Sequence, residues 1–267
     1  FMYLGFIIML LYLIYNFGGV NYLLDNVPSN NLTLTGKLPI GYILSWSLIS
    51  MITFIDPSIF QRSYSGENAN VVKKGLLISV IFWFIFDILT ITVGLYASAI
   101  IDPQTLSNGS PYLLLADTYL PYIFKNIFYI ALLSIVMSTI DSFFLVSSMI
   151  IGNDLMNSNN SLNKTKLGLI ITGFISYIIA TNFKFVIDIW YIFGSIAASS
   201  LLIPFLFAIL NSKKVLKYPI TTLSVPIIIS VIWIIYDYPY NLDLMYPGII
   251  SSGFLCLIFI KDNKKLI

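Results

Sequence analysis

Eight apolar stretches, each near the length of a bilayer-crossing helix, run through a chain of only 267 residues. They lie at about 1–18, 39–57, 75–100, 122–152, 166–182, 187–210, 219–236 and 244–260. A spanning helix needs about 20 mostly apolar residues, because each rises about 1.5 Å through a hydrocarbon layer about 30 Å thick. Little chain remains between the stretches to build a soluble domain. Composition agrees: 58% of residues are hydrophobic and 10% are charged, where soluble domains carry about 25% charged. The expected fold class is an all-α polytopic membrane protein with eight transmembrane helices, residues 1–267 forming a single transmembrane domain. The fourth stretch is too long for one straight span, so it tilts or projects a turn or two past the bilayer.

The loops set an orientation. Arg62, Lys73 and Lys74 lie between the second and third stretches, and Lys164 and Lys166 follow the fourth. Lys213, Lys214 and Lys217 follow the sixth, and Lys261, Lys264 and Lys265 follow the eighth. These are alternate loops and hold 11 of the 14 basic residues, leaving Lys37, Lys125 and Lys184 on the other side. Cytoplasmic loops collect Lys and Arg. The first stretch therefore starts inside, and the C-terminus is cytoplasmic. Asp25, Asp102, Asp117, Asp237 and Asp243 fall outside, in turn-rich loops such as DPQTLSNGSPY. Asn31-Leu-Thr and Asn108-Gly-Ser are formal glycosylation triplets on that side, a three-residue pattern common by chance.

Several chemistries are excluded early. With no histidine in the chain, Ser-His and Cys-His catalysis, His-ligated metals and His proton relays are absent. The one cysteine, Cys256, rules out an intrachain disulfide framework and reads as a small hydrophobe in a helix. No nucleotide loop, nucleic-acid footprint or convergent catalytic group is visible. An enzyme is not expected. The chain opens on Phe1 without a basic leader or cleavage motif, as if entered midway.

Against this apolar background, SIVMSTIDSFF (134–144) places a carboxylate and four hydroxyls at membrane depth. On a helix, Ser134, Ser138, Asp141 and Ser142 share one face at i, i+4, i+7 and i+8. Ser148 continues the stripe, and Thr139 flanks one edge of it. An ionisable group there costs roughly 2.5–3.5 kcal/mol on insertion scales, so it needs a partner or a task. One reading is helix packing, since small hydroxylated residues line membrane interfaces and bond back to carbonyls. The other is a hard-cation site: hydroxyl and carbonyl oxygens suit an ion such as Na⁺. Ser138 and Thr139 would supply hydroxyls and Ile135 a carbonyl. Asp141 would add a favourable field from a turn away, with Ser142 beside it. Asp87, in FWFIFDILTITV, is the other carboxylate expected to be buried. Pairing with a neighbour, binding a second cation and carrying a proton are all open to it.

ALLSIVMSTIDSFFLVSSMIIGNDL (131–155) resembles the signature helix of the sodium:solute symporter family, at Met137, Ser138, Thr139, Asp141, Ser142, Ser147, Ser148, Asp154 and Leu155. DPSIFQRSYSGEN (56–68) is similar to the family's second motif, at Asp56, Pro57, Gln61 and Arg62. The resemblance extends over nearly the whole chain. It implies a multi-pass plasma-membrane carrier that moves a small organic solute or ion together with Na⁺. No cofactor beyond the coupling ion is implied, and the partners are the lipid bilayer, Na⁺ and the solute. The implied fold is LeuT-like, two inverted five-helix repeats. Members commonly have about thirteen spans with the signature on the ninth. On that reckoning the chain lacks about five N-terminal helices. Residues 1–18 would end repeat one, 39–210 would form repeat two, and 219–260 would add two peripheral helices.

The resemblance also implies sodium ligands at Ser138 and Thr139 by hydroxyl and at Ile135 by carbonyl, completed by the absent first core helix. The second stretch would be a helix broken near the midplane, exposing backbone to solute. Gly41, Ser45, Ser47, Ser50 and Thr53 soften it. Trp46, Ser50 and Thr53 are its candidate cavity residues, although Trp46 fits a lipid-facing stripe as well. The sixth stretch carries a Gly194–Ser195 weak point and Pro204. It would serve the outer gate, with Ser195 and Ser199 facing the cavity. Arg62, with Lys73 and Lys74, reads as a headgroup anchor. The alternative function is a transport-fold sensor or partner subunit, or an inactive truncated copy.

Overall fold

The computed structural model describes residues 1–106, 109–156, 162–183, 185–210 and 214–262. Asn108, Lys184, Lys213, Lys264 and Lys265 lie outside the described residues. The helices in chain order are α1 (Met2–Phe17), α2 (Val20–Asn26), α3 (Ile40–Ser50), α4 (Pro57–Tyr64), α5 (Ala69–Ile100), α6 (Pro103–Leu106), α7 (Pro111–Tyr119) and α8 (Tyr122–Met149). They continue with α9 (Leu162–Asn182), α10 (Val186–Leu210), α11 (Pro219–Ile235) and α12 (Met245–Ile258). Two short strands, β1 (Lys214–Leu216) and β2 (Ile260–Asp262), pair antiparallel. This ladder is absent from the all-α expectation, because neither strand carries a periodicity of its own.

Helix ends follow local chemistry. Asn68 caps α5, its Oδ1 accepting from the backbone N–H groups of Asn70 (3.1 Å) and Val71 (3.0 Å). The helix therefore starts at Ala69, ahead of the apolar run, and carries Lys73 and Lys74 on its first turns. Replacing Asn68 by Ala is expected to destabilise this end by about 1 kcal/mol. Hydrogen exchange at residues 70–74 would show it as faster opening, with the rest of α5 unchanged. α1 stops at Gly18, whose φ of 109° suits only glycine. α1 and α2 are bent by 73° about this break.

Five helical runs are long and apolar enough to span: Ile40–Tyr64, Ala69–Ile100, Tyr122–Leu155, Leu162–Asn182 and Val186–Leu210. The bent pair α1–α2 makes a sixth if it counts as one span. α11 and α12 are apolar but shorter, at 17 and 14 residues. Left-handed backbone at Asp237 and Tyr238 follows α11, and strand β2 follows α12. Against the eight spans expected from hydropathy, five to six helices are of spanning length among the described residues, because the last two apolar helices are short.

The chain forms two compact units. The first comprises Phe1–Lys37 and Ser65–Ile151. Its core centres on Phe6, whose ring meets those of Phe86, Tyr112 and Phe128 edge-on at 5.2–5.3 Å. α1 runs antiparallel to α8: Tyr12 meets Phe124, Phe6 meets Phe128, and Gly5 faces Ala131. A Cβ on Gly5 would stand 2.3 Å from that of Ala131. Close approach at small residues matters here because lipid tails are as apolar as the side chains and only packing distinguishes the two. α7 is tied down by an ion pair, Lys125 to Asp117 at 2.6 Å, and by the Tyr129 hydroxyl, which donates to the same carboxylate. The hydrogen bond from Lys125, then that from Tyr129, holds the Asp117 carboxyl below the usual range.

The second unit comprises Leu38–Tyr64 and Gly152–Ile267. α10, α11 and α12 pack through serine, alanine and glycine. Ser199 and Ser230 share a hydrogen bond at 3.1 Å, and Ser230 donates to the Leu244 carbonyl at 3.3 Å. Gly248 sits against both serines. α3 joins this bundle where Ile49 fills the space above Gly194. Cys256 is buried, as a small hydrophobe would be.

Candidate functional site

α8 is regular through the polar stripe and ends in a π-helical turn at Ile150–Leu155. With that turn the helical run Tyr122–Leu155 is 34 residues long, beyond what one straight span needs. The inner half of α8 packs Phe128, Ala131, Leu132 and Ile135 into the core of its unit. One to two turns further, Ser138, Thr139 and Asp141 are exposed. So are Val136, Met137 and Ile140.

The hydroxyl geometry is specific. Thr139 Oγ1 donates to the Ile135 carbonyl at 3.0 Å, so these two expected ligands already adjoin. Ser142 Oγ donates to the Ser138 carbonyl at 3.0 Å, and Ser134 Oγ to the Ile130 carbonyl at 2.8 Å. These are i−4 back-bonds, which satisfy a hydroxyl in an apolar setting. Ser138 Oγ makes no hydrogen bond among the described residues. The set therefore offers a threonine hydroxyl and a backbone carbonyl side by side, with a serine hydroxyl on the adjoining position. These are hard oxygen donors of the kind an alkali cation takes, and one helix supplies only part of a shell. Among the described residues no group of three or more His, Cys, Asp or Glu comes together. A multi-carboxylate cage of the kind that holds Ca²⁺ is thus not present among them.

The second motif has a mechanical role. Asp56 Oδ1 accepts from the Ser58 N–H at 2.7 Å, capping α4, and Pro57 takes the first helical position. Gln61 and Arg62 are exposed on α4. Before it, α3 ends at Ser50 and the chain tightens into a 3-10 segment, Met51–Ile55. The second stretch thus changes helical pitch after Ser50 within the run Ile40–Tyr64. Ser50 Oγ bonds back to the Ser47 carbonyl at 2.7 Å, and Thr53 is exposed on the 3-10 segment.

Trp46 is half-buried in a group of four rings. It leans on Tyr191 (centroids 5.3 Å apart) and meets Trp190 (6.0 Å) and Tyr42 (6.3 Å) edge-on. Ser195 and Ser199 are fully buried in α10. This differs from the cavity-facing expectation: Ser199 is held by Ser230, because small residues let α11 and α12 approach α10 closely. Ser195 Oγ is buried without a hydrogen-bond partner among the described residues. Asp87, expected to be buried, is exposed on α5 and makes no side-chain hydrogen bond or ion pair among the described residues. That half of α5 contributes Phe86 to the core and turns its neighbours outward.

Residues beyond the expected set also meet here. Tyr191 donates its phenolic hydrogen to Asp243, and Tyr246 donates to the Gly41 carbonyl at 2.7 Å. Tyr191 and Asp243 are 52 residues apart, so no spacing in the sequence announces the pair. The one available signal was an aspartate two residues ahead of a helix start, which reads only as a cap.

A family model described as the sodium:solute symporter family matches residues 1–217 of the chain. No curated protein and no solved structure matches it.

Proposed function

Because the chain belongs to the sodium:solute symporter family, we propose that it performs sodium-coupled symport of a small organic solute or ion across the plasma membrane. The observation that carries this is the oxygen arrangement on α8. Thr139 Oγ1 and the Ile135 carbonyl lie 3.0 Å apart, with the Ser138 hydroxyl unengaged on an exposed face. In this reading Na⁺ takes those three oxygens as part of its shell. Asp141 and Ser142 add field and support to the same stripe. No other cofactor is invoked. Sodium favours one state of the carrier by its differential affinity, and that difference raises affinity for the solute in the same state.

The eight-span topology belongs to the proposal. In the second unit, side-chain bonds join the starts of α3, α10 and α12. The ladder β1–β2 joins the chain that leaves α10 to the chain that leaves α12. Helices two and six apart in the span order thus share ends, as the alternating positive loops require. This parity supports a cytoplasmic C-terminus. In the LeuT-like reading, α1 closes the first repeat, 39–210 form the second, and α11 and α12 are peripheral.

The test is uptake into vesicles with and without a sodium gradient, using a panel of labelled metabolites. Sodium-dependent accumulation of one class is the expected result and names the solute. No uptake, together with no effect of sodium on thermal stability, would return the α8 stripe to helix packing.

A further inference from the structure

Asp243 lies just ahead of α12 and is bonded at both carboxylate oxygens. Oδ1 accepts from the Met245 N–H at 3.0 Å, capping α12, and Oδ2 accepts from the Tyr191 phenol. Tyr191 stacks on Tyr42 at 5.3 Å, leans on Trp46 at 5.3 Å, and follows Trp190, which meets Trp46 edge-on. The Ser45 hydroxyl is wholly buried on the turn of α3 between Tyr42 and Trp46, beside the Tyr191 phenol.

The loop bearing Asp243 is held firmly. Asp237, Tyr238 and Tyr240 all have left-handed backbone, with φ of 53°, 54° and 60°. Such residues without glycine's freedom cost about 1–2 kcal/mol each and persist only where the surroundings over-determine them. Trp233 Nε1 anchors the loop at the Leu242 carbonyl (3.0 Å), and Tyr246 anchors the following turn at Gly41. A phenol donating to a carboxylate on such a support has its rotamer set from outside its own helix.

We propose that Asp243 is a positioning residue for solute recognition. Through Tyr191 it sets the orientation of the Trp46 ring, so that the start of α12 governs the aromatic surface on α3. This rests on the symport reading and on Trp46 as a solute-facing residue. It gives the last helix a part in recognition.

Three variants separate the roles. Tyr191→Phe removes only the phenolic bond. Asp243→Asn keeps one acceptor oxygen, enough for the phenol or for the cap but not for both. Asp243→Ala removes both. They are compared in reconstituted vesicles by solute KM and Vmax, and by acrylamide quenching of tryptophan fluorescence. Tyr191→Phe is expected to raise solute KM by about fivefold, because only part of the lost charge-assisted hydrogen bond, about tenfold or more in full, reaches the solute through the Trp46 ring. Vmax should stay within about twofold and quenching should rise. Asp243→Asn should fall between the parent and Tyr191→Phe in KM and in quenching, because one of its two acceptors is lost. Parental KM and quenching in Tyr191→Phe would overturn the proposal, as would an equal loss of Vmax with KM unchanged. If Asp243→Ala does not fold, Tyr191→Phe still decides. If the parent moves no solute with sodium, the symport reading fails, while quenching still reports whether the bond positions the rings.

Discussion

Replacing Ser138 and Thr139 together by alanine is expected to raise the sodium concentration for half-maximal uptake at least about tenfold. A hydrogen-bonding oxygen facing a charged group contributes about 1.5–3 kcal/mol, and about 1.4 kcal/mol is a factor of ten. Two hydroxyls are lost, while the Ile135 carbonyl remains. The fold should be little disturbed. Ser138 and Thr139 are exposed, and the lost Thr139 bond is a back-bond within α8. Solute affinity at saturating sodium should therefore change much less than sodium affinity. Measuring both constants on one preparation makes the contrast clear. Unchanged sodium dependence with normal expression would remove the α8 hydroxyls from the coupling site. Thr139→Ser, which keeps the hydroxyl, should retain most of the sodium affinity.

Gly248→Leu should be the most destabilising single change in the second unit. A Cβ at Gly248 would lie 2.5 Å from the Cβ of Ser199 and 2.5 Å from the Ser230 hydroxyl. Neither is the end of a flexible side chain, so α12 would have to move off α10. Even Gly248→Ala should cost about 1–3 kcal/mol as overpacking, despite the gain of up to about 1 kcal/mol in helix propensity. Leucine adds branched bulk to the same contact and should abolish the folded peak in detergent. Gly253 is the internal control: it lies on the same helix, and a Cβ there meets nothing within 4 Å. Gly253→Ala should keep or slightly raise thermal stability. Equal losses at both positions would show that the α10–α12 contact is not close.

The two results address different layers, and the sequence speaks to them unequally. The α8 stripe was legible. Hydroxyls and a carboxylate at helical spacing inside an apolar run are conspicuous, and the resemblance of 131–155 to the symporter signature ties them to sodium. The start of α4 was legible too, because Asp56-Pro57 is a cap followed by a first-turn proline. Helix boundaries beyond the apolar runs were not. α5 begins at Ala69 and α9 at Leu162, both ahead of lysines that hydropathy assigns to loops. A long lysine stem follows a helix out of the bilayer without ending it.

Ser199 and Asp87 show a second limit. Both were singled out as polar groups in apolar runs, which marks a residue as costly without saying what surrounds it. Ser199 proved to be packed against Ser230, and Asp87 stands on an uncovered face. Tyr191 and Asp243 show the converse: each is unremarkable in its own segment, and only the approach of α10 to the start of α12 makes them a pair.

The sequence by itself therefore determined the class of the protein, where its apolar segments lie, and which helix carries the polar stripe. These depend on how single residues partition between lipid and water, a property local to each segment. Tertiary structure alone decided which serines are satisfied within the bundle, where β1 meets β2, and which ring Asp243 holds. Those depend on where non-consecutive helices cross. In an apolar surrounding the crossing is selected by close fit at residues such as Gly5, Gly194 and Gly248, not by any difference in hydrophobicity that a pattern of residues could record.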